Sequence, residues 1–446
     1  MTQFDERSDQ DAEGALVLRE PACGGEAGDS APSPAIMHDP WLTTREGSPL
    51  ASLAATLHAK LEAASRRCSS RKPRGDAAER RLAIVQNIVA SLALVSFRHP
   101  PGTRIVVQAD KQAATRYDRK ELPRGPLIKT LKSMAEEGLV VYHEAVFKRR
   151  RTTIEPALVF KAMLVRTRAG VGDIGRAPGG ETILLKASAG RNCPKVLVDY
   201  TDTNESLRLR AEMGTINAGL AGVDLKLWGE RLPADQLVRV FHIGGVDAPV
   251  SFDGHGRLFR GSWQFLPRAE RAGLTINGQR LVELDYRAMY VHLAYALVGA
   301  AVPAGDPYDI PGLEEHRSAV KKAMASLFFR DGTMRRLAGE LRDLLPAGWT
   351  AKRLTAAMVD RHPAIAHVLG TNIGPRLANA ESRILVAVLL RLLSERVVAL
   401  PIHDCVLVPG RHKEAARAAM LQESERLVGT ELPVEEKGAT KSLLCS

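Results

Sequence analysis

Two apolar runs in the C-terminal half of the chain each carry an aspartate where the run ends or turns, and no other feature constrains the fold as much. The first is Leu281-Val-Glu-Leu-Asp285, followed by a helical pattern from Tyr286 to Leu297; the second is Val397-Val-Ala-Leu400 and Val406-Leu-Val408 on either side of His403-Asp404. A strand ending in a carboxylate and a strand-turn-strand tipped by one belong to a sheet whose strand ends stay accessible. Taken singly, each has an ordinary reading: Asp285 as a helix N-cap, His403-Asp404 as a polar hairpin turn. Taken together, two carboxylates at the ends of adjacent strands can hold a pair of divalent ions about 3.5 to 4 Å apart, an arrangement that stabilises the attacking and leaving oxygens of an in-line phosphoryl transfer.

Between the two aspartates, a helical pattern over residues 314 to 329 sets Arg317, Lys321, Ala325 and Phe329 at steps of four along one face. Such a stripe alone reads as a solvated helix face. Beside a metal pair, the two cations suit a triphosphate and its pyrophosphate leaving group, and the aromatic suits an incoming base. Upstream, Asp253-Gly-His-Gly256-Arg257 offers an arginine beside glycines that let the backbone approach a sugar-phosphate chain; by itself it is a hairpin turn with a surface arginine.

Composition narrows the setting. The 446 residues, 45% of them hydrophobic, suffice for two or three domains without stapling. Five scattered cysteines (23, 68, 193, 405 and 445), with no CxxC pair, suggest neither a disulfide framework nor a zinc site. The acidic N-terminus lacks an apolar signal core and the apolar runs are broken by charge, so a cytoplasmic protein without membrane insertion is expected. Residues 1 to 50 hold ten Asp/Glu against three Arg, a local charge of −7; the net charge of +11 therefore leaves +18 on the remaining 396 residues. A basic body attracts polyanions, nucleic acid first among them, although charge also serves plain solubility.

Residues 1–75 read as a disordered acidic arm, a short helix near 50–64 and a basic linker. Residues 76–167 alternate helical and strand patterns: a long amphipathic helix over about 77–95, a strand at 104–108, a helix at 124–137 with Lys129 and Lys132 off its apolar stripe, then a hairpin (139–143 and 152–160) whose turn, Phe147-Lys-Arg-Arg-Arg151, is basic. That order resembles a winged helix, which places Lys129, Lys132, Arg149 and Arg150 against a DNA backbone. Residues 168–234 read as a Gly- and Ala-rich linker followed by reduced thumb-like helices, at about 203–213, stopped by Gly214, and 233–241.

Conjunction and order give residues 235–446 their meaning. The Asp253 to Arg257 motif, a strand-terminal Asp, a helix with R-x3-K-x7-aromatic and an apolar hairpin tipped by His-Asp together resemble the palm and fingers of the family A DNA polymerases and the related single-subunit phage RNA polymerases. The fold class expected is α+β: an antiparallel-sheet palm with helical fingers, preceded by the winged-helix-like α/β module and the disordered arm. The resemblance implies that Asp285, the Tyr286 carbonyl and Asp404 bind two Mg2+ ions, with Mn2+ as an alternative. Arg317 and Lys321 then bind the triphosphate, Lys321 also acting in catalysis, while Phe329 takes the place of the fingers tyrosine. His403 contacts the primer terminus, and Arg257 the primer or template. Tyr290, five positions after Asp285, falls where this family occludes the 2′-hydroxyl, implying preference for deoxynucleotides.

The pattern departs from the family at three points. The 314–329 helix lacks the Tyr-Gly that usually follows, Ala325 replaces a middle aromatic, and Cys405 replaces a glutamate. No exonuclease-like acidic set lies upstream, so synthesis without proofreading is expected. Implied partners are a DNA primer–template, deoxynucleoside triphosphates and a processivity or replication partner. The alternatives are a single-subunit RNA polymerase or primase, and a non-catalytic DNA-binding replication or regulatory protein with a degenerate palm.

Overall fold

The computed structural model describes residues 34–68, 75–107, 115–146, 151–188, 190, 195–233 and 235–437. Two large hydrophobic cores organise them, one spanning Ile36 to Ile174 and the other Ile183 to Leu432, with a small third cluster of Leu184, Val238, Val240 and Phe259.

The first core is built from β1 (Ala35–Met37), β2 (Leu42–Thr44), α1 (Pro49–Cys68), α2 (Gly75–Arg98), β3 (Arg104–Val106), α3 (Arg124–Glu136), β4 (Val140–His143), β5 (Thr153–Pro156), α4 (Leu158–Thr167) and β6 (Ile174–Arg176). Ile84, Val85, Ile88, Val89, Leu92 and Val95 recur at helical spacing on α2 and are all buried, as an amphipathic core helix requires. A four-stranded sheet in the order β1-β3-β5-β4 packs with these helices, and β2 pairs with β6. On α3, Leu127, Leu131 and Met134 face inward while Lys129 and Lys132 are exposed.

The second core begins with β7 (Ile183–Ala187), β8 (Val196–Leu197), α5 (Asn204–Ala221), β9 (Leu225–Leu227), β10 (Glu230–Arg231), β11 (Val238–Ile243) and β12 (His255–Phe259). It continues through α6 (Arg268–Arg271), β13 (Leu274–Ile276), β14 (Gln279–Tyr286), α7 (Met289–Leu297), α8 (Arg317–Phe328), α9 (Gly339–Asp343), α10 (Ala351–Arg361), α11 (Gly374–Ser394), β15 (Leu400–Ile402), β16 (Cys405–Pro409), α12 (Lys413–Val428) and β17 (Val434–Lys437). The larger sheet runs β10-β9-β13-β14-β16-β15, antiparallel throughout, with β17 also paired to β14. A second sheet, β12-β11-β7-β8, carries one parallel pair, β11 with β7. Mixed α and β structure with antiparallel sheets is therefore what the chain forms.

Several expectations need correction. Residues 34–48 are not part of a disordered arm: β1 joins the first sheet in parallel with β3, and Asp39 is tied to Arg176 at 2.9 Å. The strand expected to 160 stops at Pro156, which cannot donate to a ladder, and Leu158–Thr167 is helical. The Gly- and Ala-rich 168–192 segment contributes β6 and β7 instead of a linker. The helix expected to stop at Gly214 continues to Ala221, and Gly219 lets it pack closely on α11, since a Cβ there would stand 2.5 Å from Leu393. In place of the helix expected at 233–241, residues 235–237 are irregular and strand β11 begins at Val238, where Val238-Arg-Val-Phe241 supplies β-branched and aromatic residues. Ala77–Arg98 is long and apolar enough to cross a membrane, contrary to expectation, but its apolar face packs in the first core. Arg149 and Arg150 lie outside the described residues.

Candidate active site

Asp285 sits one residue before the end of β14, between Leu284 and Tyr286, which are 0% and 2% exposed. Side chains alternate along a strand, so burying its neighbours turns Asp285 to the opposite face. The β14–β16 register sets Asp285 opposite Cys405, which brings Asp404 to the adjoining strand end; the Tyr286 amide donates to the Asp404 carbonyl at 3.4 Å. Strands β15 and β16 are joined by only His403 and Asp404, with His403 in the left-handed region at φ 50°. The turn thus holds both half-buried side chains at the hairpin tip.

Burial, reinforced by the charge of Asp404, pushes the Asp285 carboxyl up to about 6. Burial, reinforced by Glu381, does the same for Asp404, also up to about 6. Lys321, exposed on α8, acts on both in the opposite sense. Asp285 Oδ2 meets Lys437 Nζ at 2.5 Å, and Asp285 Oδ1 is buried without a hydrogen-bond partner among the described residues.

Two partly desolvated carboxylates, one with an unsatisfied oxygen, fit a hard divalent cation. Among the described residues no group of three or more His, Cys, Asp or Glu side chains is arranged for a metal. The carboxylates that could hold such an ion are therefore the pair alone, a set that main-chain oxygens would have to complete. The Tyr286 phenol is turned into the core and donates to the Met420 carbonyl at 2.7 Å, which leaves only its backbone for that purpose.

The remaining expected residues divide. Arg317 shares the exposed face of α8 with Lys321 but pairs with Asp306, Nε to Oδ2 at 2.6 Å, and lies 5.0 Å from the Tyr308 ring centroid. Phe329 caps α8, stands 5.7 Å from Tyr290 and covers Gly374 so closely that a Cβ there would lie 2.4 Å from its ring. Arg257 is not a surface arginine. Its guanidinium grips Glu381 with two bonds, at 2.7 and 3.0 Å, and donates to the Tyr290 hydroxyl. Burial holds the Tyr290 phenol well above its usual range despite that cation. Lys132 is paired with Glu144 at 2.9 Å, whereas Lys129 borders a cavity of about 400 Å³ shared with Arg80 and Arg81.

Two residues were missed. Glu381 falls among Leu377, Ala378, Ser382 and Leu385 on the buried stripe of α11; a charged residue in register with an apolar stripe was the available signal. Lys437, in a short C-terminal strand, gave none.

No protein-family description and no curated protein matches the chain. Among solved structures, the chain is similar to the POL domain of Pol1 from M. smegmatis, in complex with DNA primer-template and dNTP, with 13% identity and a TM-score of 0.31 over 52% of this chain and 50% of that one. The chain thus spans about half the length of that polymerase structure. A likeness at this level carries no argument about activity, which rests on the geometry of the chain itself.

Proposed function

We propose that the chain is a template-directed nucleotidyl transferase, making DNA from a primer 3′-hydroxyl without proofreading. The observation that carries this reading is the pairing of β14 with β16, which brings Asp285 and Asp404 together under the charge of Lys321. Two Mg2+ ions, or Mn2+, held by Asp285, Asp404 and the Tyr286 carbonyl, would supply the activation of the attacking hydroxyl and the stabilisation of the leaving oxygen. Lys321 neutralises the triphosphate and the departing pyrophosphate. Arg317 joins it by exchanging Asp306 for phosphate, a swap favoured by its position on the same exposed face. Phe329 and Tyr290 form an aromatic wall against base and sugar, and His403 meets the primer end from the hairpin tip.

In this reading the helix-strand-helix-hairpin order of α2, β3, α3, β4 and β5 serves as a winged-helix-like duplex-binding module, with Lys129 on its exposed helix face. A processivity or replication partner and a cytoplasmic setting belong to the same proposal.

A non-catalytic DNA-binding role is the second reading, favoured by one observation: Arg317 and Asp285 are both engaged by intramolecular partners, Asp306 and Lys437. Primer extension with Mg2+ and either dNTPs or NTPs separates the possibilities. Extension with dNTPs supports the proposal and extension with NTPs alone points to an RNA polymerase or primase. Duplex binding with no product from either points to the binding protein.

A further inference from the structure

Strand β17 brings a cation to the carboxylate pair that the reaction described above does not use. In the β14–β17 register Lys437 stands opposite Glu283, and Asp285 opposite Glu435. The lysine is thus the diagonal neighbour of Asp285, a spacing that a long side chain can span. Its ammonium lies 2.5 Å from Asp285 Oδ2 and 3.4 Å from Glu435 Oε1, while Asp285 Oδ1 has no hydrogen-bond partner among the described residues. The Asp285 side chain is only 13% exposed, so water screens the pair weakly.

We propose that Lys437 is a positioning residue for the metal site: its ammonium fixes the Asp285 carboxylate and balances its charge until a divalent ion binds and displaces it. This rests on the reading of Asp285 and Asp404 as metal ligands. A buried anion without a counter-charge is costly, and a lysine anchored by the backbone pairing of β17 supplies one charge at fixed reach. A divalent ion supplies two and can also engage Oδ1, which the ammonium leaves unsatisfied. Lys437 therefore opposes entry of a first ion in the absence of nucleotide, and the affinity for that ion reports the competition. Lys321 is not equivalent, because it acts electrostatically on both aspartates, whereas Lys437 is ion-paired with Asp285.

The test is Mn2+ binding to the full-length protein without nucleotide, followed by electron paramagnetic resonance, in wild type, Lys437→Met, Lys437→Gln and Lys437→Arg, each checked for folding by circular dichroism. Lys437→Met and Lys437→Gln are expected to bind Mn2+ about three- to tenfold more tightly, the weight of one partly buried charge pair. Lys437→Arg, which keeps the charge, stays near wild type. The two neutral variants should also melt lower without metal and show a larger Mn2+-induced rise in Tm. Unchanged or weaker Mn2+ binding in the folded neutral variants overturns the role of Lys437. Absence of Mn2+ binding in wild type and in every variant overturns the metal reading itself, a different result from the first.

Discussion

Arg257 and Glu381, 124 residues apart in the chain, are joined by two hydrogen bonds of 2.7 and 3.0 Å in the interior beneath the hairpin tip. The same guanidinium donates to the Tyr290 hydroxyl, so β12, α7 and α11 meet in one charged cluster, and Glu381 acts electrostatically on Asp404. Removing one partner strands the other in the interior. Glu381→Leu is expected to cost about 3 to 5 kcal/mol, and the double variant Glu381→Leu/Arg257→Met distinctly less. Urea denaturation of the two single variants and the double variant measures this; equal costs for single and double variants would contradict a buried, mutually dependent pair.

Asp404 offers a pH-dependent counterpart. Its carboxyl is raised from 3.8 to about 6 in the folded protein, so the native state holds its proton more tightly than the unfolded chain does. The contribution to stability is therefore full below about pH 4 and is lost as pH rises through 6. Without divalent ions, Asp404→Asn is expected to stabilise the protein at pH 7, by about 1 to 3 kcal/mol, and to lose that advantage near pH 4. Thermal melts across this range in chelator provide the check.

Tyr290 carries the expectation about sugar choice. Its ring stands 5.7 Å from Phe329 and its hydroxyl is held by Arg257, which fixes the side chain. Tyr290→Ala is expected to raise ribonucleotide incorporation relative to deoxynucleotide by about tenfold or more, the scale set by removing a tight steric contact. Single-nucleotide insertion kinetics measure the ratio; no change means that Tyr290 is not the gate.

Lys129 and Lys132 should differ in DNA binding even though the sequence ranks them alike. Lys132 is held by Glu144, whereas Lys129 lies among Arg80 and Arg81. Lys129→Ala is expected to reduce the salt dependence of duplex binding by about one unit of slope, and Lys132→Ala by less. Fluorescence anisotropy at several salt concentrations distinguishes them.

The elements around Asp285 and Asp404 that were legible in the sequence are those whose signal is local. Leu281 to Asp285 is a short apolar run closed by a charge, and His403-Asp404 is a two-residue break between apolar strands, so element type follows from pattern alone, whereas the partial burial of each aspartate does not. Arg257 was expected to contact primer or template, and its bond to Glu381 was not legible because that partner lies 124 residues along the chain. Lys437 reaches Asp285 through the β14–β17 pairing, which no local pattern announces. The strand character of Val238–Ile243 was obscured by Pro233 and the alanine and leucine that follow. Residues 34–44 were obscured by a composition that favours disorder, although Ile36, Trp41 and Leu42 are buried once β1 pairs with β3.

The central claim is that Asp285 and Asp404 together support metal-dependent nucleotidyl transfer, and it is tested most directly by primer extension in Mg2+ with wild type, Asp285→Asn and Asp404→Asn, all confirmed as folded. Wild type is expected to extend a primer on a DNA template with dNTPs, and each variant to lose at least about 100-fold in rate while still binding the duplex. Extension that persists at the wild-type rate in either variant would contradict the account.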